Sequence, residues 1–467
     1  MRKTQAPRLV IAAPASGSGK TLLACGLLAA LRQKKIQAAA FKCGPDYIDP
    51  MFHEAVLGIP SKNLDTFLAG RGRMRQLFLA DAVRADVSVI EGVMGLYDGL
   101  GGVTKDASTW DVAAALEAPV ILVVDAGKAS VSVLALIRGF LAYAQQEGGS
   151  RIRGVVFNRL SPGRYPALKA LAEEELGVRV CGFLPRLDDV RMESRHLGLV
   201  MPGEIPGLRG QMERLGQQCL ETLDIPLLLS IAGEAPALQE EPLPAFLRGR
   251  GVRPVIAVAR DEAFSFYYKD NLRLLEMLGA QLHPFSPLRD RQVPAEADAL
   301  LLGGGYPELY GRELSENRPM RDSVQGAVAG GMPCLAECGG FLYLQEELED
   351  RDGRAFEMAG ALKGRSRYTG KLSRFGYVTL TAPQAGETAL LMPGESLRGH
   401  EFHYMDTDGN GTDLLAVRPV TGRSWPCGHM TDRFYGGFPH LYLWSHVETA
   451  ARFVRKAEEY GRERHTR

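Results

Sequence analysis

The sequence predicts an α/β protein whose N-terminal half is a doubly wound parallel sheet. Short apolar runs alternate with segments of helical periodicity, and glycine-rich turns follow several of those runs. Alternation of this kind is typical of parallel strands joined by crossover helices on both faces of a sheet. A stretch rich in Pro, Glu and Arg then divides the 467 residues into two halves. The length fits two large α/β domains, at about 150 residues or more for each domain.

Each element follows from the apolar pattern. The first half is predicted to contain buried strands at residues 9–13, 38–41, 87–91, 120–125 and 154–158. Helical periodicity marks residues 20–32 and 111–116. Further strands are predicted at residues 254–259, 299–302 and 333–336. We therefore assign residues 1–235 to a first domain, 236–252 to a linker, 253–450 to a second domain and 451–467 to a C-terminal helix or tail.

Composition excludes several classes of protein. Lys+Arg and Asp+Glu both number 55, so the chain lacks the basic excess of a typical nucleic-acid-binding protein. No uncharged apolar run reaches the roughly 18 residues needed to span a membrane. The 7 cysteines are scattered and form no CxxC pair, which argues against disulfides and a structural zinc site. We expect a cytoplasmic protein that binds small molecules, and the sequence leaves its oligomeric state open.

A nucleotide site is predicted where the first strand meets the first helix. Ser16, Gly17, Ser18, Gly19, Lys20 and Thr21 stand at this junction. In such a loop the backbone N–H groups cradle phosphates, the lysine reaches the terminal phosphates and the threonine can hold Mg²⁺. Pro14 occupies a position where the strict pattern has glycine, and the alternative is a glycine-rich turn with an incidental lysine. No Asn-Lys-x-Asp motif for guanine follows, which favours ATP.

Acidic residues follow two of the predicted strands. Asp46 and Asp49 come after one strand, and Glu91 and Asp98 come after another. Because ligands of open α/β sheets bind at the carboxyl ends of the strands, these acids are expected beside the phosphate loop. We predict that Thr21, Asp46 and Glu91 bind Mg²⁺, which prefers oxygen ligands. The alternative is that the aspartates cap helices, as turn aspartates commonly do.

Three other polar residues of the first domain are candidates for ligand contacts. Lys42, which stands at the end of a predicted strand, or Arg195 is a candidate basic contact for a substrate. Asn158 ends another predicted strand, where it either binds adenine or caps a turn. These residues complete the predicted ligand set of the first domain.

The second domain is predicted to contain a thiol nucleophile. Cys338 stands between a predicted strand and a helix start, followed by two glycines, which is the arrangement of a nucleophile elbow. A helix N-terminus lowers a thiol pKa, and the backbone N–H groups of Gly304, Gly305 and Gly339 are candidates for an oxyanion hole. Several histidines occur late in the chain, and His440 is our choice for the base. The alternative is that Cys338 is a buried core thiol.

Several motifs, in this order, give the chain a family resemblance. They are the phosphate loop, FKCGPDYIDP, EGVMGLYDG, LGGGYPELY, ECGGFLYL and RGHEFHY. Together they resemble the cobyrinate a,c-diamide synthase family from about residue 8 to about residue 447. The resemblance implies a dethiobiotin-synthetase-like ATP-binding domain joined to a class I glutamine amidotransferase domain. It also implies that Cys338 is the nucleophile and His440 its base. Many class I amidotransferases carry Glu two residues after the histidine, but Tyr442 occupies that position here, so we expect a Cys–His dyad.

The resemblance also implies a reaction. Ammonia released from glutamine would amidate peripheral carboxylates of a corrin or related tetrapyrrole after ATP has activated them. The a and c carboxylates of cobyrinate are the expected targets, with hydrogenobyrinate and nickel sirohydrochlorin as alternatives that the sequence does not separate. A non-catalytic P-loop binding protein is the alternative from another functional class. Cys338 and His440 argue against it, since a binding module needs no activated thiol.

Overall fold

The computed structural model describes residues 3–147, 149–187, 194–195, 198–199, 207–240, 244, 253–383 and 389–466. The chain divides into two compact units, Met1–Pro242 and Leu243–Arg467. The division falls within the stretch assigned above to a linker, most of which lies outside the described residues. Residues 238–239, at the start of that stretch, pair with residues 3–4 and so form part of the first unit.

The first unit is built from alternating strands and helices. Its strands are β1 (Lys3–Thr4), β2 (Arg8–Ala12), β3 (Ala38–Cys43), β4 (Ser61–Leu64), β5 (Val87–Glu91), β6 (Val120–Asp125), β7 (Ile152–Asn158), β8 (Arg179–Leu184), β9 (Ser194–Arg195), β10 (Gly198–Leu199) and β11 (Leu238–Gln239). Its helices are α1 (Lys20–Gln33), α2 (Ile48–Leu57), α3 (Thr66–Ala69), α4 (Arg71–Ala82), α5 (Thr109–Ala115), α6 (Ser132–Gln146), α7 (Tyr165–Leu176), α8 (Leu208–Thr222) and α9 (Ile225–Gly233).

A parallel sheet forms the centre of the first unit. Among the described residues it has seven strands in the order β4-β3-β5-β2-β6-β7-β8, and every neighbouring pair is parallel. Strands β2 and β5 are buried along their whole length, as expected for a sheet covered by helices on both faces. The carboxyl ends of β2, β3, β5 and β7 therefore meet at one edge. This arrangement confirms the predicted α/β class.

The second unit combines a second parallel sheet with antiparallel strands. Its strands are β12 (Val255–Ala259), β13 (Gln281–Phe285), β14 (Ala299–Leu302), β15 (Cys334–Glu337), β16 (Glu347–Glu349), β17 (Ala355–Glu357), β18 (Arg365–Tyr368), β19 (Arg374–Thr381), β20 (Ser396–His403), β21 (Met405–Thr407), β22 (Leu414–Val417), β23 (Ser424–Cys427), β24 (His429–Met430), β25 (Phe434–Gly437) and β26 (His440–Leu441). Its helices are α10 (Lys269–Met277), α11 (Gly311–Glu316), α12 (Arg318–Ala329), α13 (Gly339–Leu344) and α14 (Val447–Thr466).

Two sheets of the second unit bring its polar residues together. One has the order β13-β12-β14-β15-β25-β24, and the other has the order β23-β22-β19-β20-β26. Strands β13, β12, β14, β15 and β25 run parallel to one another, whereas the edge strand β24 is antiparallel to β25. Strand β26 starts three residues after β25 ends, so the chain passes directly from one sheet to the other. No helix within the described parts of the chain is both long enough and apolar enough to cross a membrane.

Candidate active sites

The glycine-rich loop connects β2 to α1 and ends in a glycine that has no room for a side chain. Gly19 has φ 104°, and a Cβ placed there would lie 2.0 Å from Nδ2 of Asn158. Directly after it, Lys20 donates from Nζ to the backbone carbonyls of Ala15, at 3.2 Å, and Met94. Burial and the nearby Lys42 lower the pKa of Lys20 to about 8. The ammonium group is thus held within the loop, where phosphates of a nucleotide are expected to bind.

Asn158 ends β7 and contacts the same loop. Its Nδ2 donates to the Ser18 carbonyl at 2.9 Å. Its Oδ1 is buried and has no hydrogen-bond partner among the residues that the structure describes. The side chain therefore supports the loop with its amino group, while its oxygen is left as an acceptor for a ligand. Its contact with adenine stays a prediction.

A buried cluster of charges lies next to the loop. Glu91 ends β5 with no exposed surface, and its Oε1 accepts hydrogen bonds from Thr21 Oγ1 and, at 2.7 Å, from Lys42 Nζ. Lys42 also forms an ion pair with Asp49. The structure thus brings together Thr21, Lys42, Asp49 and Glu91, although they come from separate segments of the chain. It also adds His53, whose Nε2 lies 3.3 Å from Glu91 Oε2.

Lys42 contacts two carboxylates in this cluster, Asp49 and Glu91. The pKa values of these two groups are shifted in opposite directions. Burial raises the pKa of Glu91, but Lys42 and His53 more than offset this and hold it well below its ordinary value. Burial and the nearby Asp46 raise the pKa of Asp49 to about 8, against the opposing effect of Lys42. Lys42 and His53 therefore favour the charged form of Glu91 more strongly than Lys42 favours that of Asp49. Sequence reasoning missed His53 because it lies inside α2, with no motif around it.

The other two predicted acids make local hydrogen bonds. Asp46 Oδ1 accepts from the backbone N–H groups of Ile48, at 2.8 Å, and Asp49, at 3.2 Å, at the start of α2. Asp98 Oδ2 accepts from the Gly95 N–H at 2.8 Å within the turn after β5. The contacts of Asp46 match the capping alternative, whereas Asp98 stabilises a turn and caps no helix. A ligand role for either residue stays a prediction. Arg195 lies in β9, but its side chain is outside the described residues.

The charge cluster fits a magnesium ion in part. Thr21 and Glu91 offer a hydroxyl and a charged carboxylate beside the loop, and Mg²⁺ is commonly held by one or two protein oxygens together with phosphates and water. In the described portion of the chain, no three or more His, Cys, Asp or Glu residues are grouped to hold a metal by themselves. A magnesium ion would thus depend on nucleotide oxygens as well as on Thr21 and Glu91.

The second site is built at the turn between β15 and α13. Cys338 has φ 45° and ψ −103°, a conformation that L-residues rarely adopt. The turn is held by close backbone contacts, since the Gly340 N–H donates to the Gly303 carbonyl at 2.9 Å. Cys334, at the start of β15, is buried in the core, and burial raises its pKa. Cys338 is also buried, with 6% of its surface exposed, but its backbone is strained, whereas that of Cys334 belongs to a regular strand.

His440 opens β26 and contacts Cys338. Burial lowers the pKa of His440, but the hydrogen bond and charge interaction with Cys338, together with Glu337, outweigh this and raise it to about 10. Its ring packs on Gly304, where an added Cβ would lie 2.3 Å from the ring carbon Cε1. The structure therefore brings the predicted base to the predicted nucleophile and explains why residue 304 has no side chain.

Backbone groups surround the thiol. A Cβ at Gly305 would lie 2.0 Å from the Ala263 carbonyl oxygen, and a Cβ at Gly339 would lie 3.0 Å from the Gly305 amide nitrogen. The backbones of Gly305 and Gly339 therefore approach each other closely beside Cys338, as two donors of an oxyanion hole must. Their role as donors stays a prediction.

Glu337 is a polar residue of this site that sequence reasoning missed. It ends β15 with 6% of its surface exposed. Its Oε1 accepts from the Leu441 N–H at 3.1 Å, and its Oε2 lies 3.8 Å from His440 Nδ1. Tyr442, at the position where many amidotransferases carry Glu, packs on Tyr268 with ring centroids 5.3 Å apart. The sequence signal for Glu337 was its place directly before the cysteine.

The two units define a class of protein, a nucleotide-binding synthetase joined to a glutamine amidotransferase. Residues 9–200 match the family described as the CobQ/CobB/MinD/ParA nucleotide binding domain. Residues 255–447 match the CobB/CobQ-like glutamine amidotransferase domain. Both matches agree with the fold of the unit in which they lie.

Similar proteins specify the family. The chain is 38% identical to a cobyrinate a,c-diamide synthase from Caldanaerobacter subterraneus subsp. tengcongensis, covering 97% of this chain and 99% of that protein. A protein of the same name from Priestia megaterium is 35% identical, covering 98% of each chain. Another from a Synechococcus species is 40% identical, covering 85% of this chain and 86% of that protein. The chain belongs to the cobyrinate a,c-diamide synthase family. It is a glutamine-hydrolysing ligase that performs a glutamine-dependent amidation in cobalamin biosynthesis.

Proposed function

We propose that this protein amidates the a and c carboxylates of cobyrinate, using ATP for activation and glutamine as the nitrogen source. The observation that carries the proposal is the presence of two different reactive sites in one chain. One is the loop of Lys20 beside the buried charges of Lys42 and Glu91. The other is the strained Cys338 in contact with His440.

The first unit activates the substrate in this proposal. A free carboxylate is a poor electrophile, so ATP transfers its γ-phosphoryl group to a carboxylate oxygen and ADP leaves. Ammonia then attacks the acyl carbon, the C–O bond to phosphate breaks, and phosphate departs with the electron pair. Lys20 stabilises the charge on the transferred group, as lysines of phosphate loops do. The same cycle repeats at the second carboxylate.

The residues around Glu91 bind and orient the reactants. When Mg²⁺ is bound it neutralises phosphate charge, and Thr21 and Glu91 are the residues that would hold it, with Asp46 as the further predicted ligand. Lys42 is the candidate contact for a substrate carboxylate, because it lies near the end of β3 at the same sheet edge as the loop. Its present partners, Asp49 and Glu91, hold its ammonium group in place.

The second unit supplies ammonia. His440 takes the thiol proton, the Cys338 sulfur attacks the side-chain amide carbon of glutamine, the C–N bond breaks, and His440 passes the proton to the departing ammonia. Water then cleaves the thioester and releases glutamate. The N–H groups of Gly305 and Gly339 stabilise the oxyanion that forms in both steps.

The macrocycle is the part of the proposal with named competitors. The names of the relatives support cobyrinate over hydrogenobyrinate and nickel sirohydrochlorin. The chemistry at each carboxylate is the same for all three. A direct comparison of products therefore decides the substrate.

The test incubates the purified protein with ATP, Mg²⁺, glutamine and each macrocycle in turn, and measures product mass. We expect a diamide from cobyrinate. Cys338→Ser should abolish glutamine-dependent synthesis and leave synthesis from ammonium chloride largely intact, since activation occurs in the other unit. Cys334→Ser is the matched control and should retain glutamine use. Efficient glutamine use by the Cys338 variant, or a diamide only from another macrocycle, would overturn the corresponding part of the proposal.

A further inference from the structure

The base of the amidotransferase site has a carboxylate neighbour that no motif assigns. We propose that Glu337 is the positioning residue of the Cys338–His440 pair, and that it replaces the acid that many class I amidotransferases place two residues after the histidine. Glu337 contacts no reacting atom in this proposal. It acts by holding His440 in the orientation that serves the thiol.

The first support is an anchor between two strands. Oε1 of Glu337 accepts from the backbone N–H of Leu441 at 3.1 Å. Glu337 ends β15, whereas Leu441 belongs to β26 in the other sheet. A carboxylate that accepts from a buried N–H makes a strong hydrogen bond, and its loss would leave that donor unsatisfied. The anchor therefore fixes the strand that carries His440 relative to the strand that carries the nucleophile.

The second support is the ring itself. The other carboxylate oxygen of Glu337, Oε2, lies 3.8 Å from His440 Nδ1. This distance is longer than a hydrogen bond, but such contacts commonly tighten when a reaction complex forms. A carboxylate beside Nδ1 favours the tautomer and the charged form in which Nε2 carries a proton for the reaction. One side chain therefore positions both the backbone and the ring of the base.

The third support is the turn at the nucleophile. Successive side chains of a strand point to opposite faces, so the residue before a strand-end nucleophile ordinarily points away from it. Cys338 departs from strand geometry with φ 45°. That departure allows Glu337 and Cys338 to contact the same histidine although they are consecutive.

Two other ionisable groups near His440, His400 and Glu401, have further interactions of their own. His400 lies opposite His440 in the pairing of β20 with β26, and burial and the nearby His440 lower the pKa of His400 to about 3. Glu401 lies 3.7 Å from Arg374 and 3.8 Å from Arg418, and burial raises its pKa to about 6 despite both arginines. Glu401 also interacts with His440, which acts to lower the pKa of Glu401. Glu337 is the described carboxylate placed at an ion-pair distance from the His440 ring, with Oε2 3.8 Å from Nδ1.

The test compares Glu337→Gln with Asp298→Asn in the full-length protein. The first substitution keeps an oxygen for the Leu441 N–H but removes the negative charge. Asp298 is a matched control because it is also buried and accepts from a backbone N–H, that of Val255 at 2.9 Å. It precedes β14, so it lies at the sheet edge opposite Cys338. The assays are glutamine hydrolysis, ammonium-dependent synthesis, and iodoacetamide alkylation of Cys338, the first and the last over a range of pH.

We expect Glu337→Gln to lower kcat for glutamine hydrolysis by roughly 10- to 1000-fold with little change in KM, because the residue does not contact glutamine. The alkaline limb of the pH profile should move to lower pH. The reason is that His440 loses a negative neighbour, which lowers its pKa and deprotonates it earlier. Ammonium-dependent synthesis should stay near the unaltered level, as should every activity of Asp298→Asn.

Several results would overturn the inference. An unchanged kcat and pH profile in Glu337→Gln would do so, as would an equal loss of glutamine hydrolysis in Asp298→Asn. If Glu337→Gln fails to fold, Glu337→Asp keeps the charge on a shorter side chain, and an unshifted alkaline limb with reduced kcat is then expected. The inference rests on the proposed roles of Cys338 and His440. Glutamine hydrolysis by Cys338→Ser would refute those roles, whereas normal hydrolysis by Glu337→Gln alone would refute only the role of Glu337.

Discussion

Lys20 occupies an unusual position for a cation, since it is buried against the backbone carbonyls of Ala15 and Met94. A nucleotide would replace those carbonyls with phosphate oxygens, which bind an ammonium more strongly because they are charged. We expect Lys20→Ala to lose synthesis by about 100-fold or more with either glutamine or ammonium as nitrogen source. Product mass with both sources measures this. Normal ammonium-dependent turnover would place the ATP site elsewhere, and glutamine hydrolysis at Cys338 serves as the folding control.

Glu91 contributes both to the stability of the first unit and to its proposed chemistry. It neutralises Lys42 in a fully buried pair, and loss of one partner from such a pair commonly costs about 3–5 kcal/mol. We expect Glu91→Gln to reduce synthesis by about 100-fold or more while glutamine hydrolysis continues.

Asp46→Asn should show the same loss of synthesis if Asp46 binds the metal. Asp49→Asn and Asp98→Asn should instead accumulate the monoamide, because the second carboxylate must be seated again in the same site.

The control for Glu91→Gln must also lose a buried carboxylate. Asp111 meets that need, since it is buried and accepts from Thr66 Oγ1 at 2.6 Å and from Arg71. Asp111→Asn should lower the thermal stability of the protein without the loss of synthesis. If both variants lost synthesis equally, the effect would belong to folding, and near-normal diamide formation by Glu91→Gln would refute its role.

At the scale of elements, the turn between β15 and α13 depends on glycine. A Cβ at Gly340 would lie 2.2 Å from the Leu302 carbonyl oxygen, so the backbone would have to move. We expect Gly340→Ala to lower the free energy of unfolding by about 1–3 kcal/mol and to reduce glutamine hydrolysis. Gly326→Ala, in α12, is the control, because a Cβ there has nothing within 4 Å among the described residues. It should raise stability by up to about 1 kcal/mol, since alanine is the better helix former. Urea unfolding of both variants decides the matter.

The burial of a strand largely determined whether its position could be predicted from the sequence. Strands buried on both faces give continuous apolar runs, so the predictions at residues 87–91 and 120–125 coincide with β5 and β6. In the antiparallel sheet, β19 mixes polar and apolar residues and gives no such run, because it is only partly buried. Strand β22 is a short apolar run that was not predicted as a strand. Glu337 and His53 were missed for a related reason. Their partners are brought to them only by pairing of distant segments, as with Glu337 and Leu441, 104 residues apart.

At the scale of the whole molecule, each unit has its own core and its own predicted ligand. Hydrogen exchange followed by mass spectrometry tests this division. We expect ATP with Mg²⁺ to slow exchange in residues 13–24 and 91–98, because a ligand stabilises the state that it binds. A chloroketone analogue of glutamine that alkylates Cys338 should slow exchange in residues 303–305 and 338–344. Protection of the second unit alone by ATP would contradict the assignment of the nucleotide site.

The backbone conformation of Cys338 has a consequence for the choice of an inactive protein. A non-glycine residue at φ 45° and ψ −103° stores strain of roughly 1–3 kcal/mol, and serine or alanine in its place would retain that strain. Glycine would release it, because glycine adopts positive φ at no steric cost. Cysteine at position 338 therefore provides the nucleophile but lowers the stability of the protein. We therefore expect Cys338→Gly to be more stable than Cys338→Ser or Cys338→Ala as an inactive variant for trapping intact glutamine in the site.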